Sequence, residues 1–489
     1  MLTTFLRPGR VIALTTAALA VIAAGLLSAS ANRASCDGPC PTDPIAADGT
    51  SVRDHFWFLH RDLGPHDSLT VRLTSMTGTI TYPPPDHDQI VSGLVPWAKA
   101  GILVKDGTRR GSSYAALMMT GSHGVRFQHD CRHDVAGAPG SVSPQAPRWL
   151  RLTRSGDTIT GAESADGTQW RTVGTARLDG LPDVAQVGLF AASPGDLTLR
   201  RVALGGAIEE VRFTQATGVF DRITPAGAWR SESIGEMNDT DWEKYHQASG
   251  AVEKDGVVTI SGTGDIAPGG SGPVRVDTTT LAGVAIALII VLVAGARYGA
   301  TNPAVPVTRG ALAVGSATFL AGLIGTGVAL LAGVAILRGN GVPVQPVTAL
   351  TGVRVVVGVA LALALSGVLA FCLGRLLRRG WAAILASLLL VALPYVVTAV
   401  PLLPDTLAGW LLRVTPAAGF AVKQTAVEYP QIVAHYSPSA GYFPLPAWAG
   451  FAVLLGYTLI LVMAARARST GSAPVDAPKP STPRAPSPI

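Results

Sequence analysis

The chain alternates between long apolar runs and a stretch of short segments in which apolar and polar residues alternate. Each run is long enough to cross a hydrocarbon core of about 30 Å at a rise of about 1.5 Å per residue. The pattern therefore predicts six transmembrane helices. The runs are Val11–Ser28, Thr279–Ala296, Gly310–Ala332, Leu350–Gly374, Trp381–Pro401 and Ala447–Ala465.

The first run has two possible fates. Arg7 and Arg10 precede it, and Ala29-Ser30-Ala31 forms a small-residue cleavage site of the kind that ends a signal peptide. The run is longer than the apolar core of most signal peptides, which favours an uncleaved helix. In both cases the residues that follow are exported.

The stretch between the first and second runs is typical of a β-protein. Residues 68–74 and 149–154 alternate with period two, and Ser155-Gly156-Asp157 supplies a turn. Asp166-Gly167 is a hairpin signal. Many short strands at even spacing predict a sandwich or jelly roll. The fold class is thus a six-span α-helical membrane domain with an all-β domain inserted after the first helix.

The charges predict the topology. Only 14% of the residues are charged, against about 25% in soluble proteins, and basic residues close to helix ends are retained in the cytoplasm. We expect a multi-pass protein of the bacterial cell membrane with both termini cytoplasmic and the β-domain outside. No basic cluster with interleaved aromatic residues predicts a nucleic-acid surface. The basic residues on the cytoplasmic side are Arg7, Arg10, Arg297, Arg309, Arg375, Arg378, Arg379, Arg466, Arg468, Lys479 and Arg484.

These observations divide the chain into six parts. The linker is placed where Pro and Gly concentrate, and the tail is rich in Pro, Ser and Ala, a composition that cannot bury a core. The parts are a cytoplasmic N-terminus (1–10), the first transmembrane helix (11–31), an extracytoplasmic β-sandwich (36–267), a linker (268–278), the remaining five helices (279–466) and a disordered cytoplasmic tail (467–489).

Cysteines and histidines raise two questions of site chemistry. Cys36 and Cys40 lie on the exported side and are candidates for a disulfide, with a zinc pair as the rival interpretation. Seven of the nine histidines lie between residues 55 and 133, but the spacing in 129–134 matches no defined metal site, which favours a solvated loop. We predict no metal or other cofactor for this chain. Cys131 is expected to be a free or partly buried thiol.

The membrane runs contain small-residue stripes and very little charge. Gly325, Ala329 and Gly333 recur at four-residue spacing, a pattern that lets helices approach closely but that an Ala- and Gly-rich composition also produces by chance. Arg354 is the only charge within a run and is expected to extend outward. No P-loop motif is present, and the absence of buried Asp, Glu, Lys or His from the spans weighs against an ion-coupled carrier.

Several segments of the β-domain resemble the concanavalin-A-like lectin/glucanase superfamily, in particular its non-catalytic modules. The residues 255–268 resemble what is usually an opening strand of these modules, which implies a circularly shifted domain whose two ends meet near the membrane. Glu163 and Asp166 are expected to be solvated, so binding is favoured over hydrolysis. The segments that carry the resemblance are 56–76, 97–105, 147–161, 164–170 and 187–194.

The helical part resembles permease subunits of bacterial ABC transporters of the six-helix exporter class. Such subunits carry a re-entrant or surface helical segment between the fifth and sixth helices, where this chain has the moderately amphipathic stretch Leu407–Val422. The resemblance implies an exporter of unknown substrate, a homo- or heterodimer of permease subunits, and a separate ATPase subunit on the cytoplasmic face. The segments that carry it are 348–358, 377–396, 411–425 and 445–458.

The same resemblance points to a coupling segment for the ATPase between the second and third helices, with Arg297, Tyr298 and Arg309 as its candidate residues. The sequence departs from the family pattern there, because the loop is short and contains Pro303 and Pro306. It also departs at its start, where the family's basic amphipathic helix is missing. A degenerate subunit beside a fuller partner, or a start codon placed too late, would account for both departures.

Two other functions compete with this one. The chain is alternatively a membrane-anchored protein whose β-domain binds a glycan or another envelope component, without transport. An enzyme is the least favoured, since no H-E-x-x-H, G-x-S-x-G or comparable constellation occurs. ATP hydrolysis is therefore expected only in a partner subunit.

Overall fold

A computed structural model describes residues 7–34, 42–46, 49–82, 85–86, 88–269 and 275–470. Within them, six helices are long and apolar enough to cross a membrane, and a β-sandwich is inserted after the first. The predicted fold class is confirmed. Cys36 and Cys40, the middle of the predicted linker (270–274) and the tail beyond residue 470 lie outside the described residues.

The sandwich is built from antiparallel strands, as the period-two alternation predicts. The strands are β1 (Val52–Asp54), β2 (Phe56–Leu63), β3 (Ser68–Thr81), β4 (Ile90–Ser92), β5 (Lys99–Lys105), β6 (Tyr114–Thr120), β7 (Val125–His129), β8 (His133–Ala136), β9 (Arg148–Ser155), β10 (Thr158–Ser164), β11 (Arg171–Arg177), β12 (Ala185–Ala192), β13 (Asp196–Arg201), β14 (Ala207–Thr224), β15 (Arg230–Ile234), β16 (Gly250–Lys254), β17 (Val257–Gly262) and β18 (Ile266–Pro268).

Two large sheets face each other across the main core. One follows the order β11-β10-β9-β3-β14-β17-β16, with β4 and β13 paired at its side, and the other follows β15-β2-β12-β5-β6-β7-β8. Alternate residues of facing strands, such as Leu150 and Ile102, are fully buried between the sheets. Phe127 fits between Gly161 and Gly174, where an added Cβ would come within 2.5 Å of its ring. The sandwich therefore has the dense interior of a folded domain.

The two ends of the sandwich meet. The first strand, β1, pairs antiparallel with the last, β18, so that Val52 lies opposite Pro268. Both short strands are tied to β5, because Lys105 donates to Asp54 at 2.7 Å and Lys99 donates to Asp265, with all four side chains buried. The closure expected from the resemblance of residues 255–268 is thus present.

The helical part contains six spans, and the fifth is interrupted by a π-helical turn at Leu388–Ala392. Two short helices, α2 and α3, belong to the sandwich and to the segment before the second span. The helices are α1 (Pro8–Ala31), α2 (Asp241–His246), α3 (Val276–Thr280), α4 (Val284–Thr301), α5 (Val307–Gly339), α6 (Ala349–Leu377), α7 (Gly380–Ser387), α8 (Leu393–Thr398), α9 (Asp405–Val414) and α10 (Ala447–Thr470).

The second span begins later than predicted. Residues 279 and 280 belong to α3, and the helical conformation is interrupted before α4 starts at Val284. The break lies where Gly283 contacts α1, since an added Cβ would come within 2.3 Å of the Ala20 carbonyl oxygen. Apolarity alone did not reveal this boundary, because the break itself, Leu281-Ala282-Gly283, is apolar and continues into α4.

The small-residue stripes are helix contacts, as predicted. Gly325 lies against Ala18 of α1, and Gly333 lies against Thr280 of α3, where an added Cβ would clash with the threonine side chain at 2.6 Å. Ala329, between them, is fully buried. Small side chains let these backbones approach in a medium that offers no hydrophobic drive for association.

A helical hairpin re-enters the bundle between the fifth and sixth spans, at the position predicted for a re-entrant or surface segment. It consists of α9 and the 3-10 helix Pro416–Lys423. Gly419 contacts Leu454 of α10, and the Tyr457 hydroxyl donates to the Val414 carbonyl at 2.8 Å. Leu454 lies about 10 Å along α10 from its start. We call this segment the re-entrant hairpin.

The arginine-flanked helix ends gather on one side of the bundle, called here the arginine end. The Arg10 guanidinium lies 4.4 Å from the centre of the Tyr298 ring, Arg375 donates to the Asn302 carbonyl, and Arg468 donates to the Leu376 carbonyl. The sandwich lies at the opposite end, where Asn340 donates to the Asn32 carbonyl at 2.9 Å. The alternation of helix directions inferred from the charges is therefore present.

Candidate functional site

The sandwich contacts the membrane domain through the segment that links the fifth and sixth spans. An added Cβ on Gly206, in the turn before β14, would meet the Pro401 carbonyl oxygen at 2.0 Å. The Gln431 amide donates to the Arg132 carbonyl at 3.3 Å, and the His435 backbone N–H donates to Glu209 at 3.1 Å. We call this contact region the junction. It connects the sandwich directly to the loop that carries the re-entrant hairpin.

A buried ion pair organises the membrane side of the junction. Asp277 is fully buried in α3 and accepts two hydrogen bonds from Arg275, at 3.1 and 2.8 Å. It also accepts from the Thr425 backbone N–H at 3.1 Å. Arg275 in turn donates to the carbonyls of Ala440 and Gly441. One pair therefore fixes both ends of the segment between the re-entrant hairpin and the sixth span.

This pair lies at the end of the predicted linker, where no local pattern indicates buried charge. Arg275 and Asp277 are only two residues apart and sit in a Pro- and Gly-rich region, a pattern typical of a solvated linker. Their main partners lie about 150 residues away in the sequence. A single sequence carries no signal for such contacts.

Lys423, at the end of the re-entrant hairpin, is a second buried charge that sequence reasoning missed. Its ammonium donates to the Tyr395 hydroxyl at 3.0 Å and lies 5.7 Å from the centre of the Phe443 ring. The residue is 8% exposed. Cations close to aromatic faces gain electrostatic stabilisation that grows when water is excluded. The statement that no lysine is buried concerned the six spans, and Lys423 lies outside them, in the re-entrant hairpin.

Three cavities open around the junction. One of about 200 Å³ lies between the sandwich residues near Ser51 and the membrane residues near Arg275. A second, of about 470 Å³, is lined by Arg354, Gln424 and Phe443. Arg354 is exposed and donates to the Gln424 carbonyl at 2.5 Å. This region can accommodate a polar group beside the re-entrant hairpin.

The third cavity is largely apolar. Its volume is about 310 Å³, and Leu331, Val334 and Val355 of α5 and α6 contribute to its walls. Arg338 stands at its rim, near the end of α5. Together the three cavities place apolar and cationic surfaces side by side where the spans end. Such a surface suits an amphipathic ligand.

The carboxylates considered for catalysis serve structural roles. Glu163 is buried, contrary to expectation, because it accepts from the Ala138 backbone N–H at 2.7 Å and from Arg171. Asp166 is exposed as predicted. Its pKa is held well below the ordinary value because it accepts from the backbone N–H groups of Gln169 and Thr168.

The histidine-rich segment forms a hairpin between β7 and β8. The rings of His129 and His133 stack at 4.4 Å across it, and Asp130 and Cys131 form its turn with positive φ angles. In the described part of the chain, no three His, Cys, Asp or Glu side chains converge in the way that a metal ion requires. The segment is not a fully solvated loop, since Cys131 is buried at its turn.

Burial raises the pKa of the Cys131 thiol to about 12, with a further contribution from the negative charge of Asp54. A thiolate is the reactive form. We expect iodoacetamide at pH 8 to label Cys131 of the folded protein about 1,000-fold more slowly than that of the unfolded chain. The folded rate should rise tenfold per pH unit up to pH 10, whereas the unfolded rate levels off near pH 9. Mass spectrometry of the Cys131 peptide measures both, and folded labelling within fivefold of the unfolded rate would contradict this prediction.

The coupling residues predicted from the resemblance separate into two kinds. Arg297 and Arg309 are exposed on either side of the short loop 302–306, near the end of α4 and the start of α5. Tyr298 is only 1% exposed and packs against Phe371 at 5.5 Å between ring centres. The two arginines are therefore accessible to a partner protein, and the tyrosine belongs to the interior of the bundle.

Comparisons with known proteins do not assign this chain to a family. No model of a known protein family matches the sequence, and no curated protein matches it. Similar solved structures include a functionally unknown protein from Saccharomyces cerevisiae, with 15% identity over 39% of this chain and 85% of that chain and a TM-score of 0.21. Scytalido-glutamic peptidase with a transition state analog inhibitor has 10% identity over 44% of this chain and 99% of that chain, with a TM-score of 0.27. The GH43 BlXynB protein from Bacillus licheniformis has 15% identity over 29% of this chain and 25% of that chain, with a TM-score of 0.18. These similarities are too weak to indicate an activity.

Proposed function

We propose that this chain is the membrane-spanning permease subunit of an ABC transporter in the bacterial cell membrane. It would export an unknown substrate, as one half of a homo- or heterodimer, with a separate ATPase subunit at the arginine end. The observation that carries the proposal is the re-entrant hairpin between the fifth and sixth spans. A protein that uses its helices only as an anchor has no need of a helical segment folded back into the bundle.

The position of α4 supports a coupling route. Its end carries Arg297 beside the loop 302–306, and its start follows α3, which holds Asp277. Asp277 binds the backbone of Thr425, next to the re-entrant hairpin. A movement of α4 imposed at the arginine end would therefore reach the hairpin and the junction. A partner can impose such a movement only if it binds two arrangements of the helices with different affinity.

The composition of the arginine end also supports an acidic or mixed-charge partner. No Asp or Glu occurs between residues 278 and 404 or between 447 and 475. The exposed arginines at this end thus have no carboxylates of these helices to neutralise them. Complementary charge on a docking protein raises the rate and specificity of association.

The proposal predicts a stable complex with an ATP-binding protein. Full-length protein, coexpressed with a candidate ATPase and extracted in mild detergent, should retain it at a fixed ratio. The double variant Arg297→Ala/Arg309→Ala should lower the amount of retained ATPase at least tenfold. It removes the two exposed arginines beside the loop 302–306 that we propose the ATPase contacts. Quantitative mass spectrometry of the purified complexes measures the ratio.

The matched control removes two exposed arginines from the opposite end of the bundle, as Arg33→Ala/Arg338→Ala. This control should retain the ATPase at the wild-type ratio. Equal losses in both double variants, or no ATPase with any candidate, would count against the permease function. The second outcome would leave membrane-anchored binding of an envelope component as the better explanation.

A further inference from the structure

A pocket at the arginine end combines three arginines from two spans. Arg375 and Arg378 stand at the end of α6, and Arg468 stands near the end of α10. The pocket has a volume of about 210 Å³, and Gly299 and Ala300 of α4 lie on its wall. It is separate from the cavities at the junction, although Pro303 of the loop 302–306 also lines it.

Two of the arginines are held in place by the backbone. Arg375 donates one N–H to the Asn302 carbonyl at 3.1 Å, and Arg468 donates one N–H to the Leu376 carbonyl at 2.6 Å. A guanidinium carries five N–H donors, so each keeps further donors for a ligand. These bonds fix the two side chains near the pocket before any ligand arrives.

Arg378 has a different role. It ends α6 in the left-handed conformation, with φ of 54°, and its backbone N–H donates to the Gly374 carbonyl. Its side chain is exposed at the pocket. Within the described residues, none of the three arginines forms an ion pair with a carboxylate, since α4, α5, α6, α7 and α10 contain no Asp or Glu. Among the described residues, the pocket therefore combines three positive charges with no carboxylate.

The helices beside these charges are packed closely. An added Cβ on Gly299 would meet the Phe371 carbonyl at 2.1 Å, and one on Gly374 would meet the Ala296 carbonyl at 2.3 Å. The backbones of α4 and α6 thus touch, and the arginines surround their ends. The fifth span starts at Gly380, next to Ala300, and the N-terminus of a helix favours an anion.

We propose that this pocket binds the phosphate group of an anionic phospholipid from the leaflet at the arginine end. The three arginines lie at the ends of apolar spans, which is the depth of lipid headgroups. Guanidinium groups bind phosphate through paired hydrogen bonds, and basic pockets between transmembrane helices are known to hold anionic headgroups. The bound phosphate links the ends of the second, fourth and sixth spans.

The test uses purified full-length protein in detergent and native mass spectrometry with added phosphatidylglycerol. Wild-type protein should bind this lipid more tightly than phosphatidylcholine, whose headgroup is zwitterionic. The double variant Arg378→Ala/Arg468→Ala should bind phosphatidylglycerol about 30-fold more weakly, since each arginine lost near a lipid surface costs roughly a factor of five. Inorganic phosphate is added in a separate arm to distinguish a lipid headgroup from a free anion.

The matched control is Arg297→Ala/Arg309→Ala, which removes the same charge from the same end but outside the pocket. It should keep wild-type affinity for phosphatidylglycerol. Equal weakening in both double variants would show attraction to a general positive surface and would overturn the proposal. Tight binding of inorganic phosphate with no preference among lipids would overturn it as well. The control variant tests the ATPase contact separately, so failure of one proposal does not decide the other.

Discussion

The Asp277→Ala variant is expected to lose about 3–5 kcal/mol of stability, because it leaves a guanidinium buried without its carboxylate. The side chain of Arg275 is only 10% exposed, and that of Asp277 is fully buried. The substitution also removes the acceptor for the Thr425 backbone N–H. The segment that follows the re-entrant hairpin should therefore detach from α3 before the rest of the bundle unfolds.

Thermal unfolding of the detergent-solubilised protein measures the stability, and hydrogen exchange of the peptide that contains Thr425 measures the local detachment. The matched control is Asp179→Ala, which breaks an ion pair with Arg177 on the sandwich surface, where the two side chains are 81% and 73% exposed. Exposed pairs contribute little to stability, so this control should melt like the wild type. An equal effect of the two substitutions would show that the buried pair does not organise the junction.

The second large effect is expected in the sandwich, from the Lys99→Met variant. Lys99 is fully buried and pairs with Asp265 just before β18. Replacing the lysine by methionine leaves the buried carboxylate of Asp265 without a counter-charge. Breaking a buried pair from one side costs about 3–5 kcal/mol. Because Asp265 lies at the closing end of the domain, the pairing of β18 with β1 should be lost first.

A double variant distinguishes loss of the pair from poor fit of the new side chain. Lys99→Met/Asp265→Leu removes both charges, and apolar replacement of a whole buried pair is often close to neutral. The double variant should thus recover most of the stability lost in Lys99→Met, as measured by denaturant unfolding of the full-length protein followed by tryptophan fluorescence. A double variant as unstable as the single one would show that shape, not charge, dominates at this position.

The sequence predicted the parts of the structure that depend on local patterns. Apolar runs of sufficient length identified all six spans, and period-two alternation identified segments such as residues 68–74 and 149–154, which lie in β3 and β9. Arginines at alternate helix ends predicted that these ends lie together. Each of these features is determined by about twenty neighbouring residues, so its pattern can be recognised in a single sequence.

The missed features depend on distant partners. Glu163 was predicted to be solvated, but it accepts from the Ala138 backbone N–H of another loop as well as from Arg171 across the β10–β11 hairpin. Lys423 is a charged residue in a segment between two spans, where a solvated side chain is the usual expectation. Its burial depends on Tyr395 of the fifth span. Pairings between residues far apart in the chain leave no mark on local composition. Only the folded arrangement of spans and sheets reveals them.

The pairing of the first and last strands of the sandwich has a consequence for the evolution and engineering of this protein. Opposed residues in an antiparallel ladder lie about 5 Å apart, so Val52 and Pro268 leave the domain as neighbours. The inserted domain of more than two hundred residues therefore begins and ends at adjacent positions, as a tight turn between two helices does. Such a module can be gained or exchanged in a single genetic step, and a protein carrying a short peptide in its place should still insert all of its helices.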